Sequence, residues 1–545
     1  MRVSHSPALV SAVFDDPNLV SCAGLAPVVA LAERCGLAEL VISRLTLPLL
    51  GGVNARLKIP ALVAGMVAGA DSIDDMDLLR HGGMDRLFGG VRAPSTLGTF
   101  LRTFTFGHVR QLDSVASMML AQLATRTPLL AGADQVAHVD VDDTVKATYG
   151  YAKQGAGFGY SGVKGLNALI ATVSTPLSAP VICATRLRKG STNSARGAAR
   201  LVADALVAAK AAGAAGPDGK GLIVLRADSA FYNHDVIAAA RRAGVRFSIT
   251  ARISPALNTA ISSISEDDWA PIRYPNAVWD DEQKRLISDA EIAEIPYLAF
   301  TSRRKADHIQ ARLIVRRVKR LNPTPNTTTK GTQSTPEQQE LFSLYRYHAV
   351  FSDSPLTLVQ AEKTHRGHAI IEQVHADLKN SALAHLPSSR FAANGAWLVL
   401  ATMAFNLTRA VATITGSSLA KATTATIRRT LITVPARIAS SARRLIVHLP
   451  PPGPGKPPSP SCSPASAGHP DPRGPDHPAQ RGATRTTVDI TGKRGRPHTH
   501  APAPIPHPDT KRSLSFPSNR GGFFIMVGSA GGGQAFDSWR WFRSR

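Results

Sequence analysis

VAHVDVDDTV, residues 136–145, decides how the chain is read. Polar and apolar residues alternate along it at the period of a β-strand. His138, Asp140 and Asp142 then share one face, and Val139 and Val141 the other. A strand that carries carboxylates on a polar face needs a reason for them. The sequence around it supplies the rest of a sheet.

After this strand comes a Gly- and Tyr-rich segment, YGYAKQGAGFGYSGVKG (149–165), then two apolar runs, LNALIATVST (166–175) and APVICATRL (179–187). Together they predict a meander of antiparallel strands. ARGAARLVADALVAAKAAG (195–213) has the three-and-four spacing of a helix that ends at Gly213. KGLIVLRADSAFY (220–232) is a short buried strand with Asp228 at its C-terminal end, and DVIAAARRAGVRFSIT (235–250) a helix followed by a strand. Strands alternating with helices predict an α/β layer, a sheet with helices packed on it.

On the other side, residues 1–130 read as helical. LAPVVALAERCGLAELVISRL (25–45) and IPALVAGMVAGADSIDDMDLL (59–79) carry apolar residues at helical spacing. Ser95 and Thr96, after Pro94, are N-cap types for a helix burying Leu97, Phe100 and Leu101, and a longer helix is expected over about 109–123. Such helices suit either a helix-turn-helix-like DNA reader or a plain bundle.

Residues 252–351 are polar and strand-like, with ARLIVRRVKRL (311–321) and LFSLYRYHAVFSD (341–353) as strands on either side of a Pro/Thr loop, NPTPNTTTKGTQSTP (322–336). They read as an insertion of extra strands. HRGHAIIEQVHADLK (365–379) then reads as a helix. Ile371, Val374 and Leu378 form its apolar face, and His368, Glu372, His375 and Lys379 recur along another. GAWLVLATMAFNLTRAVATI (395–414) is a further, strongly apolar helix. Beyond about residue 446 the chain turns Pro-rich and poor in aliphatics, a composition that predicts disorder and that also resembles GC-rich sequence translated in a shifted frame.

The chain has 545 residues, of which 43% are hydrophobic, enough for several domains and a large core. Its net charge of +24 speaks of partners, with nucleic acid first and an anionic membrane surface second. From Pro451 onward 13 Lys or Arg stand against 5 Asp or Glu, which leaves +16 for the rest. The charge is therefore not a property of the tail alone. Cys22, Cys35, Cys183 and Cys462 make neither a zinc-ligand spacing nor a disulfide framework. No signal segment is legible, and no apolar run reads as long enough to span a bilayer. The expectation is a soluble, cytoplasmic, nucleoid-associated protein with no membrane partner.

Three carboxylates stand out by position: Asp142 and Asp228 on strands, Glu372 on the helix. Oxygen ligands suit Mg²⁺, and two such ions about 3.5–4 Å apart can clamp the attacking and leaving oxygens of a phosphoryl displacement. Plainer roles stay open. Asp142 could cap a turn through Asp143, Asp140 could be the inward carboxylate, and Asp228 before Ser229 could be a helix N-cap.

VDVDDTV, LRADSAFY and HRGHAIIEQVHADLK, in this order, resemble the three acidic blocks of DDE transposases of bacterial insertion sequences. The likeness is to the family numbered thirteen-eighty, within the insertion-sequence-four-like group, and it covers roughly residues 15–415. It implies an α/β fold with an RNase H-like mixed sheet flanked by helices. With it the expected organisation is a helical N-terminal DNA-binding region over 1–130, the catalytic domain over 131–251 and 352–445 and a β-rich insertion over 252–351, followed by the disordered basic tail that composition predicts over 446–545. It also implies cleavage and strand transfer at the element's ends with two Mg²⁺ ions, for which Mn²⁺ can substitute, by a homodimer on double-stranded DNA.

Carried over, Asp142 (two before Thr144), Asp228 and Glu372 are the catalytic and metal-holding acids. In the group's Tyr, Arg, Glu, Lys motif, Glu372 and Lys379 match, while His365 stands at the Tyr position and His368 at the Arg position. Lys379, His368, His365 and Arg366 are the expected DNA contacts of this helix. The stretches RLRKGSTNSARGAAR (186–200) and TSRRKADHIQAR (301–312) are further basic candidates, and Trp269 and Trp279 lie where related enzymes stack a flipped base. A related nuclease without strand transfer, or a DNA-binding protein that has lost the chemistry, are the alternatives.

Overall fold

A computed structural model describes residues 13–149, 152–272, 278–280, 285–287, 290–319, 345–441 and 444–450. The Pro/Thr loop and all but the first residues of the expected disordered tail lie outside these. So does the side chain of Trp279.

The N-terminal part is helical: α1 (Leu25–Arg34), α2 (Leu37–Arg44), α3 (Ala55–Ala68), α4 (Pro94–Arg102) and α5 (Phe106–Arg126), with shorter turns between. The start of α4 differs from expectation. Ala93 is its N-cap and Pro94 its first residue, so Ser95 and Thr96 fall inside the first turn. Proline's fixed φ suits that first position, where no backbone N–H is needed.

Ten strands form the main sheet: β1 (Val136–Ala147), β2 (Gly157–Phe158), β3 (Lys164–Ser174), β4 (Val181–Lys189), β5 (Leu222–Ala227), β6 (Arg246–Thr250), β7 (Ala270–Ile272), β8 (Ala290–Ala299), β9 (Ile309–Lys319) and β10 (Tyr345–Ser352). Their order is β2-β3-β1-β5-β6-β10-β9-β8-β7, and β4 shares with β2 the outer edge of β3. The meander β1, β3, β4 is antiparallel, as the sequence predicts. β5 runs parallel to β1, and β6 parallel to β5. The parallel steps are bridged by α6 (Ala198–Ala211) and α7 (His234–Arg242), in keeping with the need of parallel strands for a crossover.

The strands of 252–351 extend the same sheet, because β10 pairs antiparallel with β6. One element there was not foreseen: α8 (Pro255–Ser262), capped by Ser254, whose side chain accepts from the N–H of Leu257.

The stretch 365–379 is not a single helix. It comprises the end of α9 (Leu358–Arg366), a 3-10 turn over Gly367–Ala369, and α10 (Ile370–Lys379). Ile371, Val374 and Leu378 are buried as expected. His365 lies before this turn and His368 within it.

α11 (Phe391–Thr415) is the hub of the core. Its 25 residues are long and apolar enough to cross a membrane, contrary to the sequence expectation, yet most are buried inside the protein. α11 lies against α3, α5 and β4. Its polar residues have internal partners. Asn406 accepts from the N–H of Ile182 (2.8 Å) and donates to its carbonyl (2.7 Å), where the β3–β4 register shifts between Ala171 and Thr172. Arg409 pairs with Asp377 of α10 at 3.0 Å, both nearly fully buried. That bond ties the helix of the acidic motif to the core.

Candidate active site

The site forms where β1 and β5 lie side by side. Their parallel register sets Val141 opposite Ala227, so Asp142 and Asp228 are the next residues of neighbouring strands. Each has a local anchor. Asp142 accepts the N–H of Asp143 at 2.7 Å. Asp228 accepts the N–H of Ala230 at 3.0 Å and caps the turn Ser229–Phe231, so its capping role is real and leaves its second oxygen for other work.

Burial, then the negative charges of Asp228 and Asp143, raise the Asp142 carboxyl to about 7. Burial, and more weakly the charge of Asp143, raises Asp228 above the ordinary range. A charge of His368 would oppose both shifts.

The neighbouring aspartates on β1 are committed elsewhere. Asp140 is fully buried and takes two bonds of 2.7 Å from the Arg226 guanidinium, with His368 Nδ1 3.1 Å from its Oδ1, the oxygen that also accepts from Arg226 Nε. Burial alone would raise its pKa, but Arg226 and His368 more than offset that and hold it below the usual carboxylate range. Asp143, on the opposite face, pairs with Arg188 and accepts from Asn167 (2.7 Å) and Ser194 (3.1 Å). Of the three acids, Asp142 is the one whose charge is not matched by an arginine.

The helix segment faces the pair with nitrogen groups. His375 Nδ1 lies 3.5 Å from Asp142, beyond good hydrogen-bond reach. Burial, then the charges of Lys379 and His368, lower its pKa to about 4, so the ring is neutral near pH 7. Its Nε2 is buried with no hydrogen-bond partner. Lys379 is half-buried; burial, then Lys146, lowers its pKa while Asp142 opposes the shift.

Glu372, one turn from His375, is exposed. Among the described residues no three His, Cys, Asp or Glu side chains close into a ligand set for a metal ion. The structure thus brings Asp142 and Asp228 to neighbouring strands and leaves the third expected acid exposed, in no ligand set with them. The pair fits a hard divalent cation: two oxygen donors on neighbouring strands, Asp142 within β1 and Asp228 just past the end of β5, both held above the ordinary carboxylate range by burial, a cost that a cation would relieve.

Two expected DNA contacts are placed otherwise. His365 is buried, with Nδ1 3.0 Å from Ser248 Oγ and Nε2 2.9 Å from Thr250 Oγ1; it joins α9 to β6 and does not face solvent. Arg366 pairs with Glu362 at 2.7 Å. In the two basic stretches, Arg186, Arg188, Arg303 and Arg312 all pair with acidic side chains. Trp269 is covered by the Arg317 guanidinium, 4.2 Å from its ring. Sequence reasoning missed Arg226, Arg188 and the contact of His375 with Asp142. The only hint of Arg226 was its place two residues before Asp228.

The description "Transposase DDE domain group 1" matches residues 4–457. The chain belongs to that family. This transposase DDE domain covers nearly the whole of the described structure, N-terminal helices and site helix included. Its members are DNA-transposing enzymes that in general depend on a divalent metal. No curated protein matches the chain.

Proposed function

We propose that this transposase binds the terminal inverted repeats of an insertion sequence and catalyses their Mg²⁺-dependent cleavage and strand transfer into target DNA. The observation that carries the reading is the Asp142–Asp228 pair, set on the neighbouring strands β1 and β5, raised in pKa and faced by His368, His375 and Lys379. The strand order supports it as well: an antiparallel three-strand meander continued by two parallel strands is the pattern of an RNase H-like domain.

Asp142 and Asp228 would hold Mg²⁺, or Mn²⁺ in its place, with Glu372 as the third acid from α10. Bound there, the ions activate the attacking oxygen and neutralise charge on the leaving one. The chain's own groups do the rest. The Asp140–Arg226 pair keeps a second charge on β1 neutralised and holds His368 at the site. Lys379 offers a cation to a DNA phosphate. The N-terminal helices are assigned to DNA-end recognition, and a homodimer on the DNA, in the nucleoid, would place one site at each end. The affiliation to insertion-sequence family thirteen-eighty belongs to the same reading.

One observation favours a second reading. Glu372 is exposed and outside any ligand set, as in a DNA-binding protein that has lost the chemistry. A cleavage assay on the gene's flanking repeats, with Mg²⁺, separates the two. The transposase reading expects nicked ends from the parent chain and none from Asp228→Asn, and joined product from a pre-cleaved end mixed with a plasmid. Cleavage that survives Asp228→Asn and Asp142→Asn would overturn it.

A further inference from the structure

Three histidines lie along the segment 365–375, and two of them are held by hydrogen bonds. His365 has Ser248 Oγ at Nδ1 and Thr250 Oγ1 at Nε2, and His368 has Asp140 at Nδ1. His375 differs. Its side chain is only 9% exposed, its Nε2 has no partner, and its Nδ1 stands 3.5 Å from Asp142 Oδ2. A buried histidine beside an aspartate is most often a hydrogen-bonded pair, but such bonds run from about 2.7 to 3.2 Å. A buried ring left without one is costly unless something else binds it.

The 3.5 Å spacing suits a different relationship. Two ligands about 2.1 Å from one divalent ion stand about 3 Å apart at a right angle and about 4 Å apart when opposite. The gap between His375 Nδ1 and Asp142 Oδ2 falls inside that span. The carboxylate also turns the suitable oxygen to the ring. Asp142 Oδ1 accepts the N–H of Asp143, and Oδ2 is the oxygen left to meet a cation. The ring is held in place by its helix. Ile371, Val374 and Leu378 are buried beneath α10. Asp377, two residues on, pairs with Arg409 at 3.0 Å and accepts the N–H of Thr424 at 3.1 Å.

We infer that His375 Nδ1 is a ligand of the divalent cation and shares it with Asp142 Oδ2, which gives the centre a mixed nitrogen and oxygen donor set. This inference rests on the transposase reading for the presence of the cation. Asp142, Asp228 and His375 do not close into a three-membered set. The shared ion is therefore assigned to the Asp142–His375 span, with Asp228 on the neighbouring strand. Glu372 sits one turn before His375 on α10, so the same helix can present both. A ring nitrogen also changes what the site prefers. Mg²⁺ favours oxygen, whereas imidazole tilts a site toward transition cations.

The test uses the full chain, Mn²⁺ as the probe and electron spin echo envelope modulation, which detects nitrogen bound to the ion. The parent should show a nitrogen-14 coupling that becomes a nitrogen-15 coupling when its histidines alone are labelled. That arm needs no variant, so it does not depend on the folding of one. His375→Gln should lose the coupling, while His368→Gln should keep it. Loss of a group that merely orients a metal ligand already costs about 10–100-fold in affinity, so His375→Gln should bind Mn²⁺ about tenfold or more weakly. No saturable Mn²⁺ binding in the parent, no histidine coupling there, or a coupling that survives in His375→Gln each overturns the inference. The cleavage assay reads the transposase proposal separately. A chain that shows the His375 coupling but cuts nothing keeps the ligand and loses the transposase, and cleavage without the coupling does the opposite.

Discussion

Asp140 and Arg226 stand at the same rung of the parallel β1–β5 pair, joined by two bonds of 2.7 Å with almost no exposure of either side chain. Arg226 also donates to the carbonyl of Thr364 at 2.6 Å, and Asp140 meets His368. One ion pair thus links both acid-bearing strands to the segment ahead of α10. Breaking such a pair strands a buried charge and costs about 3–5 kcal/mol. Asp140→Ala should lower unfolding stability by that amount in urea titrations, and Asp140→Leu/Arg226→Leu should recover part of it. Equal stability of Asp140→Ala and the parent would contradict the pairing.

A second expectation concerns pH. Asp142 titrates at about 7 in the folded chain and about 3.9 when unfolded. Between those values the folded state keeps a proton that the unfolded state has lost. Its contribution therefore falls as pH rises across that window and stays at its lowest above it. In chelator, the melting temperature of Asp142→Asn should fall less than the parent's between about pH 5 and 7.5. Mn²⁺ at the upper pH should recover stability in the parent alone. Parallel melting curves for the two would remove the raised carboxyl from the account.

Lys379 is the α10 cation nearest Asp142 in effect. As a single phosphate contact, its loss should reduce the slope of log affinity against log salt by about 0.9. Lys379→Gln should weaken DNA of every sequence alike, measured by anisotropy over a salt series. An unchanged slope would take Lys379 off the DNA.

His365 has a different expected behaviour from its neighbours. Burial, then the charges of His368 and Arg226, lower its pKa to about 3, so it bonds Ser248 and Thr250 as a neutral ring. His365→Ala leaves those hydroxyls short of a partner and should cost about 1–3 kcal/mol of stability. Its DNA affinity and salt slope should match the parent's. A salt slope shifted like that of Lys379→Gln would show that His365 does reach phosphate.

Much of this was legible along the chain. Strict alternation in VAHVDVDDTV and three-and-four spacing in 195–213 declare their own elements, because period follows backbone geometry. What stayed hidden depends on register. Nothing in LRAD says that Arg226 falls opposite Asp140, and so nothing said which of Asp140 and Asp142 was neutralised. The 3-10 turn at Gly367–Ala369 was equally silent, since the apolar face of Ile371, Val374 and Leu378 begins only after it. Beside it His365 meets Ser248 and Thr250, while His368 reaches Asp140. The exposure of Glu372 was not readable either. A helix face gives the direction of a side chain, not its distance from another strand.

The most direct measurement is Mn²⁺ binding to the metal-free chain, followed by electron paramagnetic resonance at neutral pH. The account predicts saturable binding in the parent that is lost in both Asp142→Asn and Asp228→Asn and weakened in Glu372→Gln. Undiminished binding in Asp142→Asn and Asp228→Asn would contradict the claim that these two aspartates form one cation site.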